Sequence, residues 1–189
     1  MNKLRLSYSF LNLWRAGRID DALVTYFHLA KISSQAMEDG NMWDKHVQEA
    51  VQRLKTLPQE FGGTKLSEPK TQLRLIVPFN EKVDIIGIPD IYDEPIVYEI
   101  KTGSSKTSAD YANDFQIPIY FYVLHKSKYP VEKAIILRYN QYIDKLDKTI
   151  VYFSQREMER GINFIETLAP EIMDYWNQHS LWDKEKQNT

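Results

Sequence analysis

A short stretch near the middle of the chain carries two acidic residues and a lysine in a fixed order. The pair Pro89-Asp90 is followed, after eight residues, by Glu99-x-Lys101. Side chains alternate along a β-strand, so Glu99 and Lys101 are predicted to share one strand face. Carboxylate oxygens are hard ligands that suit Mg²⁺ or Mn²⁺. The stretch therefore predicts a strand that holds a metal ion and a phosphodiester together, as metal-assisted phosphodiester hydrolysis requires.

Length and composition limit the fold and exclude several kinds of site. The 189 residues fit one domain with a full-sized core, and 43% of them are hydrophobic and 26% charged. The formal net charge is −2, so a nucleic-acid partner would have to bind a local basic strip. Because the chain has no cysteine, disulfides, cysteine-ligated zinc and thiolate-bound iron–sulfur clusters are excluded.

The sequence predicts neither export nor a membrane span. Lys3 and Arg5 precede an apolar stretch that Asn12 interrupts, which does not match a secretory signal. The longest apolar run, from Ile117 to Leu124, has eight residues and is too short for a bilayer. We therefore expect a cytoplasmic protein without a membrane partner.

The order of the predicted elements indicates an α/β or α+β domain in which helices cover a mixed sheet. Hydrophobic spacing predicts helices at residues 1–38, 43–57, 115–126 and 155–177, and strands at residues 73–77, 83–88, 96–101, 134–139 and 149–153. Asp93-Glu94-Pro95 predicts a hairpin turn between the strands at 83–88 and 96–101.

No domain boundary is visible in the sequence. We expect a single domain over residues 1–189, with a helical N-terminal part at about 1–57, a catalytic core at about 71–153 and a C-terminal helix at about 155–177.

Two further features extend the candidate site. His46 falls at the edge of the apolar arc of its predicted helix, so its imidazole is either an inward-facing metal ligand or a half-exposed boundary side chain. Gln116 and Tyr120 lie four residues apart and share a helix face. Either they grip a phosphate or orient Lys101, or they belong to an ordinary amphipathic helix.

Together these residues resemble the PD-(D/E)xK nuclease superfamily. More narrowly, they resemble its RecB-like branch, which includes the nuclease domains of RecB and AddB and the CRISPR adaptation nucleases. The similar features follow one linear order over residues 7–140: Ser7-x-Ser9-x-Leu11, His46, Gly87-x-x-Asp90, Glu99-x-Lys101 and Gln116-x-x-x-Tyr120. The resemblance implies a restriction-endonuclease-like core with a central mixed β-sheet flanked by helices.

The resemblance also implies a catalytic role for each central residue. His46, Asp90, Glu99 and the backbone carbonyl of Ile100 would bind Mg²⁺ or Mn²⁺. Lys101 would position and activate the attacking water or stabilise the charge that develops on phosphorus. Asp90, Glu99 and Lys101 would thus form the catalytic set.

The remaining implications concern the substrate and the branch of the superfamily. Gln116 and Tyr120 would contact DNA or support Lys101. Many relatives carry four cysteines for an iron–sulfur cluster, and this chain has none. That difference argues against the cluster-bearing CRISPR and AddB types.

The expected activity is that of a Mg²⁺- or Mn²⁺-dependent deoxyribonuclease. We expect an exonuclease that acts on DNA ends or single strands in repair or recombination, with a helicase or recombination protein as a candidate partner. One alternative is a structure-specific or restriction-type endonuclease on the same core. Another is a non-catalytic DNA-binding or scaffold module, which the complete ligand set disfavours.

Overall fold

The computed structural model describes residues 3–27, 35–103, 106–179 and 181, without the side chains of residues 35–39. Within these residues the chain forms six α-helices and eight strands. The helices are α1 (Tyr8–Arg15), α2 (Ile19–Phe27), α3 (Gln35–Leu54), α4 (Ser108–Ala112), α5 (Gln116–Lys126) and α6 (Gln155–Gln178). The strands are β1 (Leu4–Ser7), β2 (Lys70–Thr71), β3 (Leu75–Pro78), β4 (Val83–Gly87), β5 (Ile91–Asp93), β6 (Ile96–Thr102), β7 (Lys133–Asn140) and β8 (Lys145–Tyr152).

The strands form two mixed sheets. In the first sheet, β4 lies between β1, which is parallel to it, and β3, which is antiparallel. The second sheet has five strands in the order β2-β5-β6-β7-β8, and only its β6–β7 pair is parallel. A parallel pair needs a crossover connection, which α4 and α5 supply between β6 and β7. Mixed sheets flanked by helices confirm the predicted fold class.

The predicted hairpin forms with a different strand. Sequence analysis pairs the segment at 83–88 with the one at 96–101, but β4 and β6 lie in different sheets. The partner of β6 is β5, which places Ile91 opposite Tyr98. All three residues of β5 are buried, so this short strand shows no alternation of polar and apolar side chains from which to predict it.

The N-terminal region also departs from the predicted helix over residues 1–38. Leu4 and Leu6 of β1 are fully buried, and the strand runs parallel to β4. Ser7 ends the strand and caps α1, because its hydroxyl accepts a hydrogen bond from the Phe10 N–H at 3.3 Å. A four-residue strand is too short for its spacing to be told from a helix.

The second helix begins earlier than the sequence predicts. Residues 28–34 of the first predicted helix lie outside the described residues, and α3 begins at Gln35. It continues through Gly40 and Asn41, where an interruption is predicted. No described helix is long and apolar enough to cross a membrane.

Helix α5 lies at the centre of the larger hydrophobic cluster. Every residue from Ile117 to Leu124 is buried, which is the pattern of a helix surrounded on all sides by protein. Helices α1 and α6 and the strands of the first sheet contribute to this cluster. A smaller cluster joins Val47 and Val51 of α3 to Tyr98 and Ile100 of the five-stranded sheet.

Two glycines allow neighbouring elements to approach α5 closely. A Cβ atom on Gly161 of α6 would lie 2.7 Å from the backbone carbonyl carbon of Pro118. A Cβ atom on Gly87 of β4 would collide with the side chain of Val123. Close approach on two sides therefore fixes the position of α5, which carries Gln116 and Tyr120.

Gly161→Ala should destabilise the protein, although alanine favours a helix over glycine by about 0.8–1 kcal/mol. The added methyl group meets backbone atoms of α5, and overpacking of this kind costs about 1–3 kcal/mol. Gly40→Ala is the matched control on α3, because its Cβ would lie 3.6 Å from Thr102 Oγ1, an ordinary contact. Urea midpoints measure both variants. Equal stability of Gly161→Ala and the wild type would contradict the close packing.

Candidate active site

Asp90 is held against the strand that carries Glu99. It precedes β5, and its Oδ2 accepts a hydrogen bond from the backbone N–H of Ile100 at 2.9 Å. Its Oδ1 accepts a longer hydrogen bond, 3.4 Å, from Gln72 Nε2. The charges of Asp90 and Glu99 interact, so the loop after β4 brings the two predicted carboxylates into one site.

Glu99 is almost completely buried, with 1% of its surface exposed. Its Oε1 accepts hydrogen bonds from Lys101 Nζ at 2.6 Å and Gln116 Nε2 at 2.7 Å. Its Oε2 accepts none from the described part of the chain. A buried carboxylate oxygen without a partner is unfavourable, so this oxygen is open to a proton or a cation.

Gln116 and Tyr120 connect the two acidic segments. Gln116 donates through Nε2 to Glu99 Oε1 and, at 2.8 Å, to the Tyr120 hydroxyl oxygen. That hydroxyl donates to the Ile88 carbonyl at 3.0 Å, in the segment that leads to Asp90. The structure thus places both predicted residues at the site, where Gln116 contacts Glu99.

Asp44 of α3 is a third acidic group at the site, and the sequence analysis missed it. Burial, with a smaller contribution from the charge of Asp90, raises its pKa to about 6, although Lys101 acts in the opposite direction. These interactions place the Asp44 carboxyl near the other two. Its spacing of three residues before Val47 and seven before Val51, both buried, is the signal that predicts an inward position.

His46 lies differently from the position that the resemblance implies. Its imidazole is exposed and packs edge-on against the Trp43 indole, with ring centroids 5.6 Å apart. Residues two apart on a helix point about 200° apart, so an inward Asp44 excludes an inward His46. The α3 residue that faces the two carboxylates is therefore Asp44.

Burial and like charge together keep a proton in this site. Burial, with a smaller contribution from Asp90, raises the pKa of Glu99 to about 8. Burial also raises the pKa of Asp90. For Lys101, burial lowers the pKa, but Glu99 and Asp90 outweigh it and the net pKa is raised. Two carboxylates that cannot both ionise easily create a strong preference for a cation.

The donor set fits a hard divalent cation. In the described ranges, no group of three or more His, Cys, Asp or Glu side chains is arranged to hold a metal alone. Mg²⁺ commonly binds through one or two carboxylates and completes its shell with water and substrate phosphates. Asp90 and the free Oε2 of Glu99 supply such a pair.

A local basic rim borders these carboxylates. The Lys101 ammonium lies 5.5 Å from the centre of the Tyr111 ring, and Lys106 lies 5.4 Å from the same ring. Arg15 and Lys106 each lie 3.9 Å from Asp114, which precedes Phe115. The Arg15 and Lys106 side chains are about half exposed, so two positively charged groups are accessible beside the site although the chain has a net negative charge.

Comparison with known proteins identifies the family. The sequence profile of the PD-(D/E)XK nuclease superfamily matches residues 10–181. This chain belongs to the PD-(D/E)XK nuclease superfamily. The protein is therefore a nuclease, of a superfamily that uses divalent metals. No curated protein matches the sequence significantly.

Solved structures share the fold at low sequence identity. The crystal structure of SSO0001 has a TM-score of 0.61 and 13% identity, over 88% of this chain and 75% of that chain. An alkaline exonuclease from Laribacter hongkongensis has a TM-score of 0.53 and 11% identity, over 93% of both chains. The same exonuclease in complex with dAMP has a TM-score of 0.53 and 13% identity. These similarities establish a common nuclease fold.

Metal-free protein should lose stability as the pH rises from about 5 to about 8. The pKa of Glu99 is raised from 4.5 to about 8, so between these values the folded state binds more protons than the unfolded state. Stability therefore falls with rising pH, and Mg²⁺ should restore it. Even one pKa unit is about 1.4 kcal/mol, or about 3–6 °C in Tm for a domain of this size.

Glu99→Gln is the control for this pH dependence, since it keeps the side-chain shape and cannot ionise. Its Tm in EDTA, measured by circular dichroism, should decline less between about pH 5 and pH 8. An equal decline in both proteins would assign the effect to other groups.

Asp44→Asn should slow cleavage, whereas His46→Ala should leave the rate near that of the wild type. Loss of the charge at Asp44 removes a group that interacts with Asp90 and Lys101, and groups that support a metal site typically contribute about 10–100-fold. Initial cleavage rates across a metal titration measure both variants. A larger loss in His46→Ala would restore His46 as the ligand on α3.

Proposed function

We propose that this nuclease is a Mg²⁺- or Mn²⁺-dependent deoxyribonuclease of the RecB-like branch, acting as an exonuclease on DNA ends or single strands. The observation that carries the proposal is the buried, unpartnered Oε2 of Glu99 beside Asp90, with the Lys101 ammonium 2.6 Å from the other Glu99 oxygen. An alkaline exonuclease among the structural neighbours, whose structure is also known with dAMP, supports DNA as the substrate class.

The residues proposed to hold the metal are Asp90, Glu99 and the backbone carbonyl of Ile100. A bound cation would polarise the phosphodiester and lower the pKa of the attacking water. In hydrolysis the water oxygen bonds to phosphorus and the bond from phosphorus to the 3′ oxygen breaks. The products are a 5′-phosphate and a 3′-hydroxyl.

Lys101 is proposed to stabilise the negative charge that develops on phosphorus. Its pKa is raised by Glu99 and Asp90, so it stays protonated and acts as a hydrogen-bond donor. A protonated ammonium cannot accept a proton from water. Of the two roles that the resemblance implies, stabilisation of the developing charge therefore fits better than activation of the attacking water by proton abstraction.

Gln116 and Tyr120 are proposed to position Glu99. The amide of Gln116 holds one Glu99 oxygen, and the Tyr120 hydroxyl holds Gln116, so the free Glu99 oxygen has a fixed direction. Neither side chain needs to touch the substrate for this role. Tyr120 is 5% exposed, which suits an internal support better than a DNA contact.

Lys101→Ala should reduce the cleavage rate about 10²–10³-fold while the protein still folds and binds DNA. Loss of one positioned donor to transition-state charge has an effect of this size. Asp90→Ala should act through lost metal affinity, so excess Mn²⁺ should rescue it in part but should not rescue Lys101→Ala. Lys126→Ala, an exposed lysine at the far end of α5, is the matched control.

Single-turnover cleavage of end-labelled linear DNA and covalently closed circular DNA, with Mg²⁺, Mn²⁺ or EDTA, tests this mechanism. An exonuclease releases mononucleotides or short products from the linear strand and leaves the circle intact. Cleavage of the circular DNA would support the alternative that the protein is an endonuclease. Inactivity of the wild type with both metals would support a binding module.

A further inference from the structure

Two large apolar side chains project from the turn between β7 and β8. Tyr142 is 69% exposed and Ile143 is 64% exposed. Single exposed apolar residues are ordinary on protein surfaces, but two adjacent ones at a hairpin tip form a small apolar patch. The exposed Lys145, which Asp144 separates from Ile143, begins β8.

Hydrogen bonds hold this turn in one shape. The Tyr142 N–H donates to Asn140 Oδ1 at 3.1 Å, and the Ile143 N–H donates to the Asn140 carbonyl at 3.3 Å. The Tyr139 hydroxyl donates to Asp144 at 2.9 Å, and Asp144 adopts a positive φ of 48°. The polar side chains thus stabilise the turn from within while the apolar ones face solvent.

The turn lies beside the catalytic end of β6. Strands β6 and β7 are parallel, with Lys101 paired to Arg138 and Thr102 to Tyr139. Strand β7 therefore ends two residues beyond the partner of Lys101, and the turn follows it.

Helix α3 contacts both the turn and the candidate site. The Trp43 indole N–H donates to Gln141 Oε1 at 2.7 Å, and the next residue, Asp44, interacts with Asp90 and Lys101.

We propose that the hairpin tip is a base-binding platform, on which Tyr142 stacks against a base of the DNA strand whose phosphate reaches Lys101. Ile143 packs beside the same nucleotide, and Lys145 attracts the backbone. Tyrosine rings bind single strands in this way because every base has a π-face. The proposal rests on the proposed nucleic-acid substrate and adds a contact outside the catalytic residues.

A strand of nucleic acid fits this patch better than a second copy of the chain. Stable protein interfaces bury about 800 Å² on each partner, which two side chains cannot supply. A single base needs only one exposed ring. Lys145 begins β8 next to the turn, and its charge suits a phosphate backbone.

Binding of a fluorescein-labelled single-stranded oligodeoxynucleotide, followed by anisotropy in EDTA, tests the platform. Tyr142→Ala should weaken binding roughly 5- to 150-fold, the range found for loss of one stacked base, and Tyr142→Phe should retain it. Tyr152→Ala is the matched control, because Tyr152 is 66% exposed but lies at the opposite end of β8. Its affinity should equal that of the wild type.

A strand with an abasic residue separates stacking from a general effect on folding or charge. At the position that stacks, the abasic site should weaken wild-type binding and leave Tyr142→Ala unchanged. Equal affinities of Tyr142→Ala and the wild type on the normal strand would overturn the proposal. An unchanged ratio of the two affinities on every abasic strand would also overturn the proposal. So would a Tyr142→Ala variant that binds the strand normally but has lost self-association.

Hydrolysis of bis(p-nitrophenyl) phosphate separates this proposal from the proposed function. This small diester carries no base, so Tyr142→Ala should hydrolyse it at the wild-type rate with Mn²⁺. If the wild type hydrolyses neither this diester nor DNA, the proposed deoxyribonuclease activity is wrong. The binding experiment then decides alone whether Tyr142 stacks on a base. Loss of diester hydrolysis in Tyr142→Ala would overturn a role limited to base binding.

Discussion

The site depends on the burial of the Glu99 carboxyl group. A carboxylate removed from water is unfavourable unless neighbouring groups compensate it, and here Lys101 and Gln116 bind only one of its two oxygens. Asp90 adds a second negative charge beside Glu99 and does not compensate the first. The surroundings of Glu99 therefore favour either a proton or a bound cation at its free oxygen. With the proposed metal bound, the unfavourable free energy of burying this charge would be offset by binding.

Helix α5 makes this arrangement rigid. Its apolar residues are buried on every side, and the glycines of β4 and α6 bring backbone and side chains into close contact with it. Gln116 at the first turn then has little freedom, and neither does the Glu99 oxygen that it holds. The hydrogen bond from Gln116 to Glu99 thus takes its precision from core packing along the same helix.

The sequence predicts the parts of the site that lie close together in the chain. Asp90, Glu99 and Lys101 were identifiable because strand alternation and metal preference act locally, and Gln116 with Tyr120 because helix periodicity is local too. The assignment of His46 over Asp44 depended on where α3 begins and which face it turns to the sheet. Tertiary packing decides both. The same holds for β5, whose three residues are all buried and carry no periodic signal that would predict its pairing with β6.

Strand β1 illustrates a similar limit at the N-terminus. Its four residues alternate as a strand does, but they are too few to stand out from the helical pattern of the segment that follows, and pairing with β4 decides between the two. The register of that pairing, with Leu4 opposite Val83, joins residues far apart in the sequence. Local propensity contains no information about such a partner.

Trp43 and Asp44 are neighbours in the chain and lie about 100° apart around the axis of α3. One is bonded to the β7–β8 turn and the other faces the acidic residues of the site. Insertion of a single residue between Trp43 and Asp44 would rotate one contact by about 100° away from its partner while the other stayed in place, and a length change between Asp44 and Val47 would turn both away from the buried face of the helix. Length variation among natural homologues should therefore be excluded from this part of α3 and be tolerated in the connection after the helix. Helix α3 thus fixes the angle between its contact with the β7–β8 turn and its contact with the acidic residues of the site.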